Sequence, residues 1–156
     1  MQVAILGFSK EKDQGIVGEG LSLDSPFGRR VERVYDLDDD RDLQTLGLSK
    51  NQERADRIIH FEECHHAVIE KKGSSQPVKK GISQLESTIL NVKLPNIKFA
   101  ILVKDRIPRI EQGFYHWDQS TGEVTVGHSV ERPVMVAHDK PLIMLTHARA
   151  RAYGLV

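Results

Sequence analysis

The chain has almost no cysteine, no excess of either charge and no long apolar run, and each absence removes a class of explanation. Cys64 is the only cysteine among 156 residues, so no intramolecular disulfide can form, which fits a reducing compartment. No segment approaches the roughly 20 apolar residues that cross a bilayer as a helix, and no charged-then-apolar leader opens the sequence. The expectation is a cytoplasmic protein with no membrane span. Its length suits a single domain over residues 1–156, large enough to bury a core without a structural metal. Lys plus Arg number 22 and Asp plus Glu number 22, so net charge gives no attraction to a polyanion. Any phosphate-binding face must come from charge segregated along the chain. Segregation is present: residues 36–42 are acidic, whereas Lys71, Lys72, Lys79 and Lys80 form a local basic group.

No repeat or low-complexity segment is visible, and the elements can be read in order. Residues 1–8 are a short apolar run expected as a buried strand. Gly15, Gly18 and Gly20 lie in a loop composition that lacks the order and following helix of a dinucleotide fingerprint. Ser25-Pro26 signals a turn, and residues 27–37 suit helix and strand alike. Asp38, Asp39, Asp40 and Asp42 read as a solvated loop, without the glycine and closing glutamate of a calcium loop. Ser49 and Gln52 match a capping box, which predicts a short helix over 50–55.

Residues 56–90 carry the clearest pattern. Residues 58–63 and 67–72 alternate as two strands joined across Cys64-His65. That pairing is expected to set Asp56 beside the Lys72-Gly73 end of the second strand, and the two-residue strand period puts Glu70 and Lys72 on one face. Pro77 then suits the first turn of a helix whose apolar face is Val78, Ile82, Leu85 and Ile89. Pro95-Asn96 ends that element, and residues 98–104 resume as a buried strand. A strand-helix-strand unit of this kind normally joins parallel strands, so the fold class is α/β with a mixed β-sheet and flanking helices. Residues 105–113 read as irregular. Two C-terminal β-hairpins follow, 114–117 with 123–126 and 134–137 with 142–146, and residues 148–153 suit a closing helical turn.

Two acids and a lysine converging at a sheet suit phosphodiester hydrolysis. That reaction needs an activated water and neutralisation of charge on the phosphoryl oxygens, and a divalent cation supplies both. Magnesium prefers oxygen ligands and is usually held by one or two carboxylates, a role open to Asp56 and Glu70. Lys72 can orient or help deprotonate the water and stabilise the transition state. The first amides of the next helix could also contact phosphate.

Asp56, thirteen intervening residues, and Glu70-Lys71-Lys72 on a strand before an amphipathic helix resemble the PD-(D/E)XK nuclease superfamily, which includes restriction enzymes and archaeal Holliday-junction resolvases. The resemblance covers about residues 50–104. It implies a restriction-endonuclease-like fold, Mg2+ dependence with Mn2+ as a substitute, and cleavage of DNA or RNA by an enzyme that is often a homodimer. Asp56 would match the family's metal-binding Asp, Glu70 its second metal ligand, the Lys71 backbone carbonyl its main-chain metal ligand and Lys72 its catalytic lysine. Gln84 resembles the Gln that some members place near the site. Ser74, Ser75, Lys79 and Lys80 would contact the nucleic-acid backbone. Ala55 stands where the family carries a proline, and the N-terminal acid of many members could be Glu19, Glu32 or Glu53.

Other readings compete. Glu70 and Lys72 could form an ion pair on a solvated sheet. His60, Cys64, His65 and His66 are zinc-type ligands without a complete set of four. Trp117, Phe114 and Tyr115 could stack on bases or pack in a core. The alternative to a nuclease is a non-catalytic α/β module that binds nucleic acid or protein.

Overall fold

The computed structural model describes residues 31–62 and 65–156. The strand expected at 1–8, the glycine loop at 15–20, Glu19 and Cys64 lie outside them. Of the ambiguous segment 27–37, the described part is strand β1 (Val31–Asp36). The chain continues through helix α1 (Asp40–Leu46), β2 (Arg57–Phe61), β3 (His65–Lys71), α2 (Val78–Asn91), β4 (Ile97–Val103), a 3-10 turn (Arg109–Glu111), β5 (Tyr115–Trp117) and β6 (Val124–Val126). It closes with β7 (Arg132–Pro133), β8 (Met135–Val136), β9 (Lys140–Leu145) and α3 (His147–Ala152). No described helix is long and apolar enough to cross a membrane.

A six-stranded sheet in the order β1-β2-β3-β4-β9-β8 organises the molecule. Its centre is parallel, β3 with β4 and β4 with β9, and its flanks are antiparallel, so the fold is α/β with a mixed sheet flanked by helices. Parallel strands covered on both faces read as continuous apolar runs. β4 does so: Ala100, Ile101, Leu102 and Val103 are all fully buried. Alternate residues then divide between two cores. Ile58, Val68, Ala100, Leu102 and Met144 pack with Leu43 and Leu46 of α1 and with Val78 and Leu85 of α2. Ile59, Ile69, Ile101, Ile143 and Leu145 pack on the other face with Ala150, Tyr153 and Leu155.

Helix α2 runs between the parallel neighbours β3 and β4, as the apolar spacing from Val78 to Ile89 predicts. Val78 and Leu85 are fully buried, and Ile82 and Ile89 are partly buried against the same core. Each fully buried aliphatic side chain contributes roughly 1.5–3 kcal/mol. Gly81 allows close approach to the sheet, because a Cβ there would lie 2.6 Å from Leu102 Cδ1.

The helix expected at 50–55 is instead a turn. Ser49 Oγ accepts from the Asn51 amide, and Gln52 Oε1 accepts from the Ser49 amide. Only Ala55 in that stretch has an apolar side chain to bury, so the capping residues close a turn with no helix to follow. The helix lies earlier, in the acidic stretch expected as a solvated loop. Asp39 caps α1 by accepting from the Arg41 and Asp42 amides, Leu43 and Leu46 supply a buried face, and Gly47 (φ 72) ends it in the left-handed conformation. Asp42 also accepts from the Asp36 amide at 2.8 Å. The acids therefore work as local caps, with their charge favourably placed at the helix N-terminus.

The C-terminal third forms the antiparallel pairs β5-β6 and β8-β9, and β7 extends the first into a three-stranded sheet. β9 does more than close a hairpin: it inserts beside β4 and adds a parallel strand to the main sheet. Trp117 Nε1 donates to the Met144 carbonyl at 2.9 Å, and the ring packs against the core. Its role is packing. Phe114 is exposed, with its ring against His128.

Candidate active site

The turn between β2 and β3 decides which residues meet. A hairpin centred on Cys64-His65 would pair Asp56 with Gly73, but the observed pairs Phe61 with His65 and Arg57 with Ile69 carry on to Asp56 with Glu70. The register therefore differs by three residues from the expected one. Because an odd shift exchanges the faces of a strand, the expected register would have turned Asp56 towards the Lys71 face. The observed one places it across from Glu70, one step beyond the Arg57 and Ile69 pair. Asp56 is held there by its amide, which donates to the Ile69 carbonyl at 3.0 Å, and by Oδ2, which accepts from the Lys71 amide at 2.8 Å.

Ala55 explains part of this placement. Its amide donates to Thr88 Oγ1 of α2 at 2.7 Å in a buried bond. A proline at this position has no such donor, so the alanine ties the approach to Asp56 directly to the helix.

Glu70 of β3 and Lys72, one residue past its end, project towards α2, on the face of Ile58 and Val68. Glu70 is 2% exposed and Lys72 8%, so they are not the solvated surface pair that the sequence also allowed. Lys72 Nζ lies 3.0 Å from Glu70 Oε2, while Glu70 Oε1 is buried without a hydrogen-bond donor among the described residues. Burial pushes the Glu70 carboxyl up to about 7; the hydrogen bond from Lys72 opposes this, and the Asp56 charge adds to it. Near neutral pH the buried acid is therefore balanced between holding a proton and ionising. A cation shared with Asp56 would favour ionisation and satisfy the orphaned oxygen.

The neighbouring scaffold contains two residues that the pattern did not single out. Lys104, one step past β4 and fully buried, donates from Nζ to the carbonyls of Gly73 and Gln76 at 2.7 Å each. It pins the loop that follows Lys72. Burial holds its ammonium below the usual lysine range, while Glu111 acts in the opposite sense. Glu111, 9% exposed, accepts from the Val78 amide at 2.7 Å and the Lys79 amide at 3.3 Å. These amides of α2 are thus occupied by a carboxylate, which corrects the expectation that they face phosphate. No periodicity marks either residue. Lys104 reads as the charged end of a strand, and Glu111 lies in a segment read as irregular.

The other expected residues fall as follows. Gln84 is half-buried on α2; its Oε1 is buried and unpartnered, and it forms no hydrogen bond with Asp56, Glu70 or Lys72. Lys79 and Lys80 are exposed at the start of α2, Ser75 is exposed and Ser74 half-buried. Glu53 accepts from Ser83 Oγ at 2.9 Å, and Glu32 lies 3.8 Å from His60 Nε2, so neither is drawn to the acid pair. His60 and His66 face each other across β2 and β3 with ring centroids 4.5 Å apart, whereas His65 pairs with Phe61 and takes the opposite face. Burial, then the neighbouring His60, holds His66 below the ordinary histidine value. Among the described residues no three His, Cys, Asp or Glu side chains are grouped to hold a metal; Asp56 and Glu70 are a pair that would need the Lys71 carbonyl or water to complete a coordination shell. No protein-family model, curated protein or solved structure matches the chain.

Proposed function

We propose that the chain is a metal-dependent nuclease that hydrolyses phosphodiester bonds of DNA or RNA, on a restriction-endonuclease-like sheet. The observation that carries this reading is the buried Glu70 carboxylate, with one oxygen on Lys72 and the other without a donor, beside a second acid, Asp56. Burying the Glu70 carboxylate next to the charge of the half-buried Asp56 costs stability unless a proton or cation neutralises it. Asp56, Glu70 and the Lys71 carbonyl would hold Mg2+, or Mn2+ in its place. Such an ion lowers the pKa of bound water and offsets charge on the phosphoryl group. Lys72 is held by its bond to Glu70 with its ammonium beside the acid pair, where it can orient the attacking water and stabilise negative charge. Glu70 on β3, with Asp56 immediately before β2 and Lys72 immediately after β3, supplies orientation without reordering.

The test is cleavage of labelled single-stranded, duplex and branched DNA and RNA with magnesium, manganese or EDTA. Wild type is compared with Glu70→Ala and Lys72→Ala. The expected result is metal-dependent cleavage that falls by at least about 100-fold in each variant. Equal cleavage in wild type and both variants, or cleavage that persists in EDTA, would refute the assignment.

A further inference from the structure

The segment after β4 carries alternating charges, Asp105, Arg106, Arg109 and Glu111, but the fold separates them by sign. Asp105 Oδ1 accepts from the His147 amide at 3.0 Å and lies 3.2 Å from His147 Nδ1. Glu111 is turned inward to cap α2. Both acids are therefore engaged elsewhere, while Arg106 and Arg109 are exposed and form no ion pair with any described residue. The two arginines line a groove of about 520 Å³ that Ser74 and Ser75 also line.

The groove adjoins the candidate active site. Ser74 follows Lys72 by two residues, and Lys104, in the electrostatic field of both Lys72 and Arg106, pins the intervening loop through the Gly73 and Gln76 carbonyls. β3 and β4 are parallel and end together here, with Lys71 opposite Val103. Crevices at the carboxyl ends of parallel strands are the usual ligand sites of open α/β sheets. Both lining segments are tied by buried charges, the serine segment by Lys104 and the arginine segment by Glu111, so the groove is held without a ligand.

We propose that this groove binds the sugar-phosphate backbone of the nucleic-acid strand beside the bond to be cut, with Arg106 and Arg109 on phosphates and the Ser74 and Ser75 hydroxyls donating to phosphate oxygens. That a bond beside the groove is cut rests on the nuclease reading; the phosphate chemistry of the groove does not. Guanidinium groups suit phosphate because their donors match two oxygens at once. Contacts of this kind add affinity in proportion to the counterions they release and carry no base preference.

The experiment measures binding of a fluorescein-labelled single-stranded DNA oligonucleotide and its duplex form by anisotropy in EDTA, over a salt series. Arg106→Ala/Arg109→Ala is compared with wild type and with Arg41→Ala/Lys98→Ala, which removes the same charge from α1 and from the opposite end of β4. The groove variant is expected to bind at least about tenfold more weakly, with a salt slope shallower by about 1 for each arginine. The control is expected to keep the wild-type slope, and circular dichroism checks that all three chains fold alike. Wild-type affinity and slope in the groove variant, an equal loss in the control, or no binding by wild type would each overturn the proposal. If the groove variant loses binding while wild type cleaves nothing in magnesium or manganese, the groove stands and the nuclease reading falls.

Discussion

Glu70 should make the stability of this protein depend on pH in the direction opposite to an ordinary ion-paired carboxylate. Its folded value is raised from 4.5 to about 7, so between those values the folded chain holds a proton that the unfolded chain has released. Stability then falls as pH rises through this window, because the unfolded state binds fewer protons. At 1.36 kcal/mol for each pKa unit, the full effect is about 3 kcal/mol once the pH is well above 7. Urea denaturation in EDTA across about pH 5 to 8 measures it, with Glu70→Gln as the reference, since the amide cannot ionise and its oxygen can still accept from Lys72. His66 contributes the opposite slope: its value is lowered from 6.5, so its share of stability is present above 6.5 and is lost as pH falls. It is common to both chains and cancels in their difference. The expected outcome is a wild-type curve that declines relative to Glu70→Gln as pH rises, and a decline that magnesium reverses most at high pH, where Glu70 is free to ionise. Parallel curves for the two chains, or magnesium that stabilises both equally, would refute the account of the buried acid.

Two further outcomes test the scaffold around the site. Gly81→Ala would place a Cβ 2.6 Å from Leu102 Cδ1 and 3.4 Å from Lys72 Cγ. Leu102 is fully buried and cannot swing away, so an overpacking cost of about 1–3 kcal/mol should outweigh the roughly 1 kcal/mol gained in helix propensity; an unchanged or raised urea midpoint would count against this. Glu111→Ala should cost about 1–2 kcal/mol by uncovering the first amides of α2 and removing a negative charge from its N-terminus. Thermal unfolding reads the loss, and a wild-type melting temperature would show that water replaces the carboxylate without penalty.

What could be read from the sequence was local. The β3-α2-β4 unit was legible because strand alternation, Pro77 and the helical spacing of Val78, Ile82, Leu85 and Ile89 agree along one stretch of chain. The shared face of Glu70 and Lys72 followed from the two-residue period alone. The hairpin register was not legible, since neither Cys64 nor His65 is a strong turn former and a shift of three residues leaves each strand's own pattern unchanged while exchanging its faces. Helix α1 was hidden by its own caps: Asp39 and Asp42 look like a polar loop until Leu43 and Leu46 find a core to enter. The position of β9 beside β4, and the inward turn of Lys104 and Glu111, depend on partners some 30 to 40 residues away, and no local period encodes a distant partner. The sequence thus determined which segments could be strands and helices, and that Glu70 and Lys72 could share a face. Only the tertiary structure decided that Asp56 stands across from Glu70, and that burial leaves that acid with one lysine, one unsatisfied oxygen and a proton it holds to near neutral pH.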